Sequence, residues 1–405
     1  MESAIERRAR YSRAIEGEAW PCALVDLDAF ERNVELLVRH ATAHGKKLRV
    51  ATKSLRVPDL VRRIVASTPG AGLMTYSARE TAFLREQGFD DLLLAYPTTR
   101  RDDAALLAGL AARGAKLSVI VDDVAHLACL SAAAESARTR IDVLVEVDMS
   151  YRPLRDLVLG VRRSPIREPR DVLAFVARVA EHPALRFAGI MGYEAQIAGV
   201  GDDLPGGPRA RIEGALGRLV KSRSRVEVEK KRAEIVEALA ASGHRAEIVN
   251  GGGTGNLTWC AAEAALTEVT AGSGFLCSRL FDRYREVRPE PAAWFALEIV
   301  RVPGPGYVTC LGGGYVASGP PAWDRVPAPD LPEGLQLLGL EGAGEVQTPL
   351  RVPPGVTLAI GEPVFFRHAK AGELAEHFAE YLLVRGDRIV DRAKTYRGFG
   401  QCFLG

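Results

Sequence analysis

AGLMTYSARETAFLREQGFDDLLLAY, residues 71–96, reads as a short apolar strand, an amphipathic helix and a second apolar strand. That order is the signature of a βα unit on a parallel sheet. The same alternation extends outward in both directions, from Cys22 to about Thr270. Towards the N-terminus lie CALVDL (22–27) and KLRVA (47–51). Towards the C-terminus lie KLSVIV (116–121), IDVLVEVD (141–148), RFAGIMGY (186–193), AEIVN (246–250) and LTEVT (266–270). Helical patterns fall between them, such as DVLAFVARVAEH (171–182). The first helix is expected to start at Asp28 as its cap, with Phe30, Val34, Leu37 and Val38 on one face, and the second to open at Pro58. Eight or nine such units predict an α/β chain built as a closed (β/α)8 TIM-like barrel over residues 22–270, in preference to an open doubly wound sheet.

Beyond residue 270 the texture changes. Glycine and proline become dense in VPGPGY, LGGGYVASGPP and VPAPDLPEG, and short β runs (FALEIV, YVTCL, VTLAI, RIVDRA) replace the alternation. Residues 271–405 are therefore expected to form a second, mostly β domain, with residues 1–21 packing on it. Between Gly199 and Gly243 lies a long polar insertion containing KSRSRVEVEKKRAEIVEAL, which reads as an exposed charged helix on the barrel rim.

In 405 residues, 53 basic side chains nearly cancel 51 acidic ones, so no long-range field recruits nucleic acid or an acidic membrane surface. A small-molecule partner is expected. No apolar run has the length of a spanning helix, and the charged N-terminus lacks the basic-then-apolar pattern of a secretory signal, which predicts a cytoplasmic protein. The six cysteines show no CxxC pair and no zinc spacing, and read as reduced thiols.

In a parallel barrel the working groups sit at the C-terminal ends of strands. One strand delivers RVATKS (49–54), with Lys53 at its end between apolar neighbours, where an amine losing solvation gains nucleophilic character. By itself such a lysine is more often a surface charge. The strand AEIV delivers NGGGTGN (250–256), whose consecutive glycines let backbone N–H groups converge on a phosphate; without a ligand the same run is a tight left-handed turn. An amine early in the barrel and a phosphate nest late in it match the two ends of one cofactor, pyridoxal 5'-phosphate, which carries an aldehyde and a phosphate.

The sequence resembles the D-threonine aldolase and D-serine dehydratase-like branch of the alanine-racemase-like, fold-type III pyridoxal-phosphate enzymes. The resemblance rests on RVATKS, DDLLLAYP (90–97), VLVEVD (143–148), LRFAGIMGYEA (185–195), GGGTG (251–255), TEVTAGSG (267–274) and GEPVFFRHAK (361–370), in matching order. It implies a Schiff-base role for Lys53, support from Arg49, phosphate contacts from Gly252, Gly253, Thr254 and Gly255, and a pocket position for Tyr193. An arginine that follows VLVEVD closely in that branch is displaced here by an apparent insertion, leaving Arg152, Arg162 and Arg163 to compete, with Arg163 preferred. It further implies a homodimer and a lyase acting on D-β-hydroxy amino acids, by retro-aldol cleavage or by dehydration. The alternatives are an amino-acid racemase, for which Tyr307, Tyr315 and Tyr396 offer a second base, and a non-catalytic cofactor carrier. The β domain speaks against the carrier, since such carriers stop with the barrel.

One departure stands out. Where that branch has a His-x-Asp or His-x-Cys pair binding a divalent metal, this sequence has His368-Ala369-Lys370. An ammonium has no lone pair for a metal, so a bound metal is doubtful here, although His368, Glu373 and His377 together are a conceivable site. Instead, His368 and Lys370 are expected beside the substrate's β-oxygen, with the Lys370 cation standing where the metal would.

Overall fold

The computed structural model describes residues 2–404 apart from 155, 205 and 321. Eight parallel strands close into a barrel: Lys47–Ala51, Gly72–Thr75, Leu92–Leu94, Leu117–Val121, Ile141–Glu146, Leu185–Gly192, Ile248–Gly251 and Glu268–Ala271. Closure comes from Glu268–Ala271 pairing with Lys47–Ala51, Thr270 opposite Arg49. Inside, Leu93, Ile120, Leu144 and Met191 form one apolar layer. Arg49, wholly buried, is paired with Glu268 at 2.5 Å and Asp91 at 3.0 Å, and Asn250 donates to Glu268 at 2.8 Å. Removing one member of such a buried network leaves an uncompensated charge. Arg49 thus ties the first barrel strand to the last and does not line the cavity described below.

The ninth strand candidate went elsewhere. Cys22–Asp26 pairs antiparallel with Ala293–Gly304 and parallel with Glu380–Arg385, in the sheet of the second domain. Both faces of this strand are buried, and in such a run periodicity cannot tell one sheet from another. The barrel consequently starts after residue 26, not at Cys22. The helix that follows is Leu27–Thr42, capped by Asp26 and not Asp28; the Asp26 carboxylate accepts the Ala29 N–H at 3.1 Å. Asp26 also accepts from Arg10 and Tyr11, each at 2.8 Å, and the Tyr11 ring lies 5.0 Å from that of Trp294. The N-terminal helix Ala4–Ala14 is thereby fastened to the second sheet. Of the four β runs read after residue 270, VTLAI forms no strand.

The insertion is the helix Pro208–Ala241. Its exposed face carries Ile212, Leu216 and Val226, but the opposite face buries Lys221, Lys231 and Arg232, so the expectation of a solvated charged rim helix is corrected. Its charges on that side find partners inside: Lys221 lies 3.3 Å from Asp202, and Arg232 meets Glu194 and Glu263. No helix among the described residues is long and apolar enough to cross a membrane.

Candidate active site

Lys53 leaves the first barrel strand on a 3-10 turn, Thr52–Ser54. Its Nζ donates to the Tyr96 hydroxyl at 3.0 Å and is exposed in a cavity of about 460 Å3. The loss of solvation anticipated for this amine is not supplied by the chain's own residues. The turn is held from below. Thr52 Oγ1 donates to Glu80 at 2.7 Å, and the same buried carboxyl accepts the Tyr396 hydroxyl and the Tyr76 N–H, each at 2.7 Å. Burial pushes Glu80 up to about 7 against the pull of those three donors.

At the other end of the cavity, Gly252 takes φ +87°, a region that favours glycine, after strand Ile248–Gly251. The Gly252 N–H donates to Glu194 at 2.9 Å and the Gly253 N–H to the Asn256 side chain at 2.8 Å. Those two groups are occupied, which corrects the expectation that all four residues of Gly252–Gly255 donate to a ligand. The N–H groups of Thr254 and Gly255 have no hydrogen-bond partner among the described residues, and both residues line the cavity. Thr254 Oγ1 accepts from Gly272 and Gly274 N–H, both at 3.2 Å, which joins this turn to the end of the last barrel strand.

Between the two ends stand Tyr96, Tyr193 and Arg163. The Arg163 guanidinium lies 5.6 Å from the Tyr193 ring centre and 6.0 Å from that of Tyr96. Burial pushes the Tyr193 phenol up to about 12, so it stays protonated. Of the three competing arginines only Arg163 lines the cavity. Arg152 is paired with Asp148 at 2.5 Å, and Arg162 is exposed elsewhere.

The second domain reaches in through the segment after strand Pro363–Arg367. The short helix Ala371–Leu374 lies on the Thr52–Ser54 turn so closely that a Cβ at Gly372 would fall 1.7 Å from the Lys53 carbonyl oxygen. This contact carries Lys370 to the cavity wall, where its Nζ donates to the Ser318 carbonyl at 2.6 Å and to Oγ at 2.9 Å. Burial lowers the Lys370 ammonium below its ordinary value, and Glu373 opposes that shift.

His368 does not accompany it. The strand ends at Arg367, so the alternation of side chains is not carried through to Lys370, and His368 is 2 % exposed and outside the cavity lining. Burial pushes its imidazole down to about 3, leaving it neutral, and neither ring nitrogen makes a hydrogen bond of normal length among the described residues. The conceivable metal set is not assembled either. Glu373 accepts the Ser318 N–H at 3.0 Å, the His377 ring stacks on Tyr315 at 4.6 Å, and no three His, Cys, Asp or Glu side chains among the described residues are grouped as metal ligands. These residues do not fit a divalent metal. None of Tyr307, Tyr315 and Tyr396 lines the cavity of its own chain.

The family description "Alanine racemase, N-terminal domain" matches residues 25–277. The chain belongs to that family. Among curated proteins it is 29% identical over 254 residues to 3-hydroxy-D-aspartate aldolase of Paracoccus denitrificans (strain Pd 1222), covering 62% of this chain and 59% of the relative. It is likewise 29% identical over 253 residues to D-threonine aldolase of Arthrobacter sp, covering 62% and 60%. The matched stretch thus spans about three fifths of each relative's length. Among solved structures, D-threonine aldolase from Filomicrobium marinum superposes with a TM-score of 0.80 at 22% identity, covering 94% of this chain and 96% of that one. D-threo-3-hydroxyaspartate dehydratase from Delftia sp. HT23 follows with 0.74 at 19%, covering 94% and 98%. The likeness carried by the ordered motifs is met, and the barrel with a second β domain is the fold of these neighbours.

This alanine-racemase-like family implies pyridoxal phosphate, and the site passes a test of fit on its own geometry. A primary amine and a turn with two unpartnered N–H groups line one cavity, and a Cβ at Gly255 would meet the Ala198 carbonyl at 2.2 Å, so only glycine lets the turn pack this closely there. Tyr96, Glu80, Glu194 and Arg232 went unassigned from the sequence. Tyr96 alone carried a signal, as the residue ending a barrel strand.

Proposed function

We propose that this chain is a pyridoxal-phosphate-dependent lyase acting on D-β-hydroxy amino acids, with retro-aldol cleavage ahead of dehydration. The observation that carries the reading is the meeting of Lys53, the glycine turn and Lys370 around one cavity. The similarity to named aldolases and a dehydratase supports it. When bound, the cofactor supplies an electron sink for a bond broken at the substrate's Cα.

The chain's own residues supply the rest. Lys53 is the amine that would hold the cofactor's aldehyde carbon, and Tyr96 accepts from its Nζ and restrains it. Thr254 and Gly255 N–H would hold the phosphate. Arg163 offers a cation to ring or carboxylate oxygens. Lys370, steadied by Ser318, would accept the β-hydroxyl proton as the neutral amine in the retro-aldol case or give a proton to the departing hydroxide as the ammonium in the dehydration case, and its lowered pKa brings that exchange nearer neutral pH. Deprotonation of the β-hydroxyl with cleavage of Cα–Cβ, followed by protonation of Cα, yields glycine and an aldehyde. Loss of the α-proton with expulsion of hydroxide, followed by hydrolysis, yields a keto acid and ammonia. Both outcomes need one polar group near the β-oxygen, and Lys370 is our candidate; His368, neutral and outside the lining, is not assigned a direct part.

The exposed Lys53 and the open cavity mouth also favour a homodimer, in which a second copy would complete the site. Light scattering giving twice the chain mass supports this, and a monomer that turns over at full rate when diluted rejects it. The activity is tested by incubating the holoenzyme with D-threonine, D-serine and 3-hydroxy-D-aspartate. Acetaldehyde or glyoxylate with glycine marks the aldolase, and pyruvate, 2-oxobutyrate or oxaloacetate with ammonia the dehydratase. Deuterium entering Cα without loss of amino acid replaces both by racemisation. Activity that collapses with EDTA and returns with manganese or zinc rejects the role given to Lys370.

A further inference from the structure

Arg232 comes from the inserted helix Pro208–Ala241 yet has no solvent exposure. Its guanidinium donates to Glu194 and Glu263 and, at 3.2 Å, to the Gly192 carbonyl. Glu194 is equally buried and directly follows Tyr193. One Glu194 oxygen meets Arg232. The other accepts the Gly252 N–H at 2.9 Å and faces the Asn256 amide at 3.4 Å. Asn256 then accepts the Gly253 N–H at 2.8 Å. A relay of three side chains, Arg232 to Glu194 to Asn256, therefore occupies the first two N–H groups of the glycine turn. The next two, on Thr254 and Gly255, have no partner among the described residues, and both residues line the cavity.

We propose that Arg232 is a positioning residue for the phosphate end of the cofactor site, holding Glu194 so that the glycine turn keeps Thr254 and Gly255 N–H free and aimed at the ligand. The inference rests on the cofactor reading above. Its physical basis is the cost of burying a carboxylate without a counter-charge. Deprived of Arg232, Glu194 is a buried carboxylate without its counter-charge, and its displacement removes the acceptor that holds the turn at Gly252. The inserted helix then acts as a strap. Its docking, reinforced by Lys221 against Asp202 and Gln196 against Ser224 at 2.8 Å, is coupled to cofactor affinity.

The test compares two ligands on the full-length apoprotein, wild type and Arg232→Met. Pyridoxal phosphate and pyridoxal share the aldehyde, and only the first has the phosphate. Each is titrated while absorbance reports its adduct with lysine, without reference to turnover. The expected result is a Kd for pyridoxal phosphate raised at least about tenfold in the variant, with pyridoxal changed less than about threefold. Parallel loss of both ligands indicates a merely structural role and overturns the proposal, as does an unchanged ratio. A wild type that binds neither ligand overturns the cofactor reading instead, and this proposal with it. Should Arg232→Met fail to fold, Asn256→Ala takes its place. The same selective loss, smaller in size, supports the relay, and equal loss of both ligands or none overturns it.

Discussion

At the glycine end of the cavity the backbone is tied down by wholly buried side chains, Glu194 and Asn256, with Arg232 behind them, whereas at the Lys53 end the amine is exposed and held through one hydroxyl, that of Tyr96. The first end is preorganised, so a ligand's phosphate would meet N–H groups that need no rearrangement. The second end is assembled from two domains. It depends on the Ala371–Leu374 helix resting on the Thr52–Ser54 turn, and Lys53 there stays exposed. A rigid end suits retention of a cofactor, and an open end suits exchange of substrate.

That contrast is broken most severely at Lys53. Lys53→Ala is expected to lower turnover by at least about a thousandfold, since the nucleophile itself is lost, while the glycine end keeps measurable affinity for inorganic phosphate. Equal loss of phosphate binding, read by calorimetry, would show that the two ends are not independent. Lys370→Gln is expected to lower kcat by about a hundredfold with cofactor affinity unchanged, as fits a group acting on the β-oxygen alone. An unchanged kcat would return Lys370 to a purely structural bond with Ser318.

Steric substitutions sharpen the comparison further. Gly372→Ala forces its Cβ against the Lys53 carbonyl, and overpacking of this kind costs about 1–3 kcal/mol. It should lower Tm and kcat, while the Kd for inorganic phosphate stays near the wild-type value. Gly255→Ala, with its Cβ against Ala198, should do the reverse, weakening phosphate-dependent binding first. The smallest effect on turnover comes with a change in the pH dependence of stability. The Glu80 pKa is raised to about 7 from 4.5, so its stabilising share is fully present below pH 4.5 and is lost as pH rises through about 7. Glu80→Gln should flatten that part of the unfolding free energy against pH by about 3 kcal/mol. A curve identical to wild type would show that the three donors to Glu80 already keep it ionised.

The barrel was legible because its strands are short apolar runs separated by amphipathic helices, a pattern written in neighbouring residues. Lys53 and the glycine turn were legible for a related reason, since each sits at a strand end where barrels put their working groups. Cys22–Asp26 was misassigned because a strand buried on both faces has no period to reveal which sheet it joins. The insertion was misread because Arg232 and Lys221 look like surface charges until Glu194, Glu263 and Asp202 are seen opposite them, tens of residues away along most of these pairings. His368 and Lys370, two residues apart, were expected to act together, yet the end of the strand at Arg367 sends one into the interior and the other to the cavity.

From its residues alone the chain declared a parallel barrel, a second β domain, and an amine and a glycine turn suited to one cofactor, since periodicity and backbone freedom are local properties. Which N–H groups of that turn remain free, which of three arginines reaches the cavity, and which member of His368-Ala369-Lys370 lines it were decided only in three dimensions. Hydrogen bonds and burial are settled between residues far apart in sequence, and local pattern carries no record of those partners.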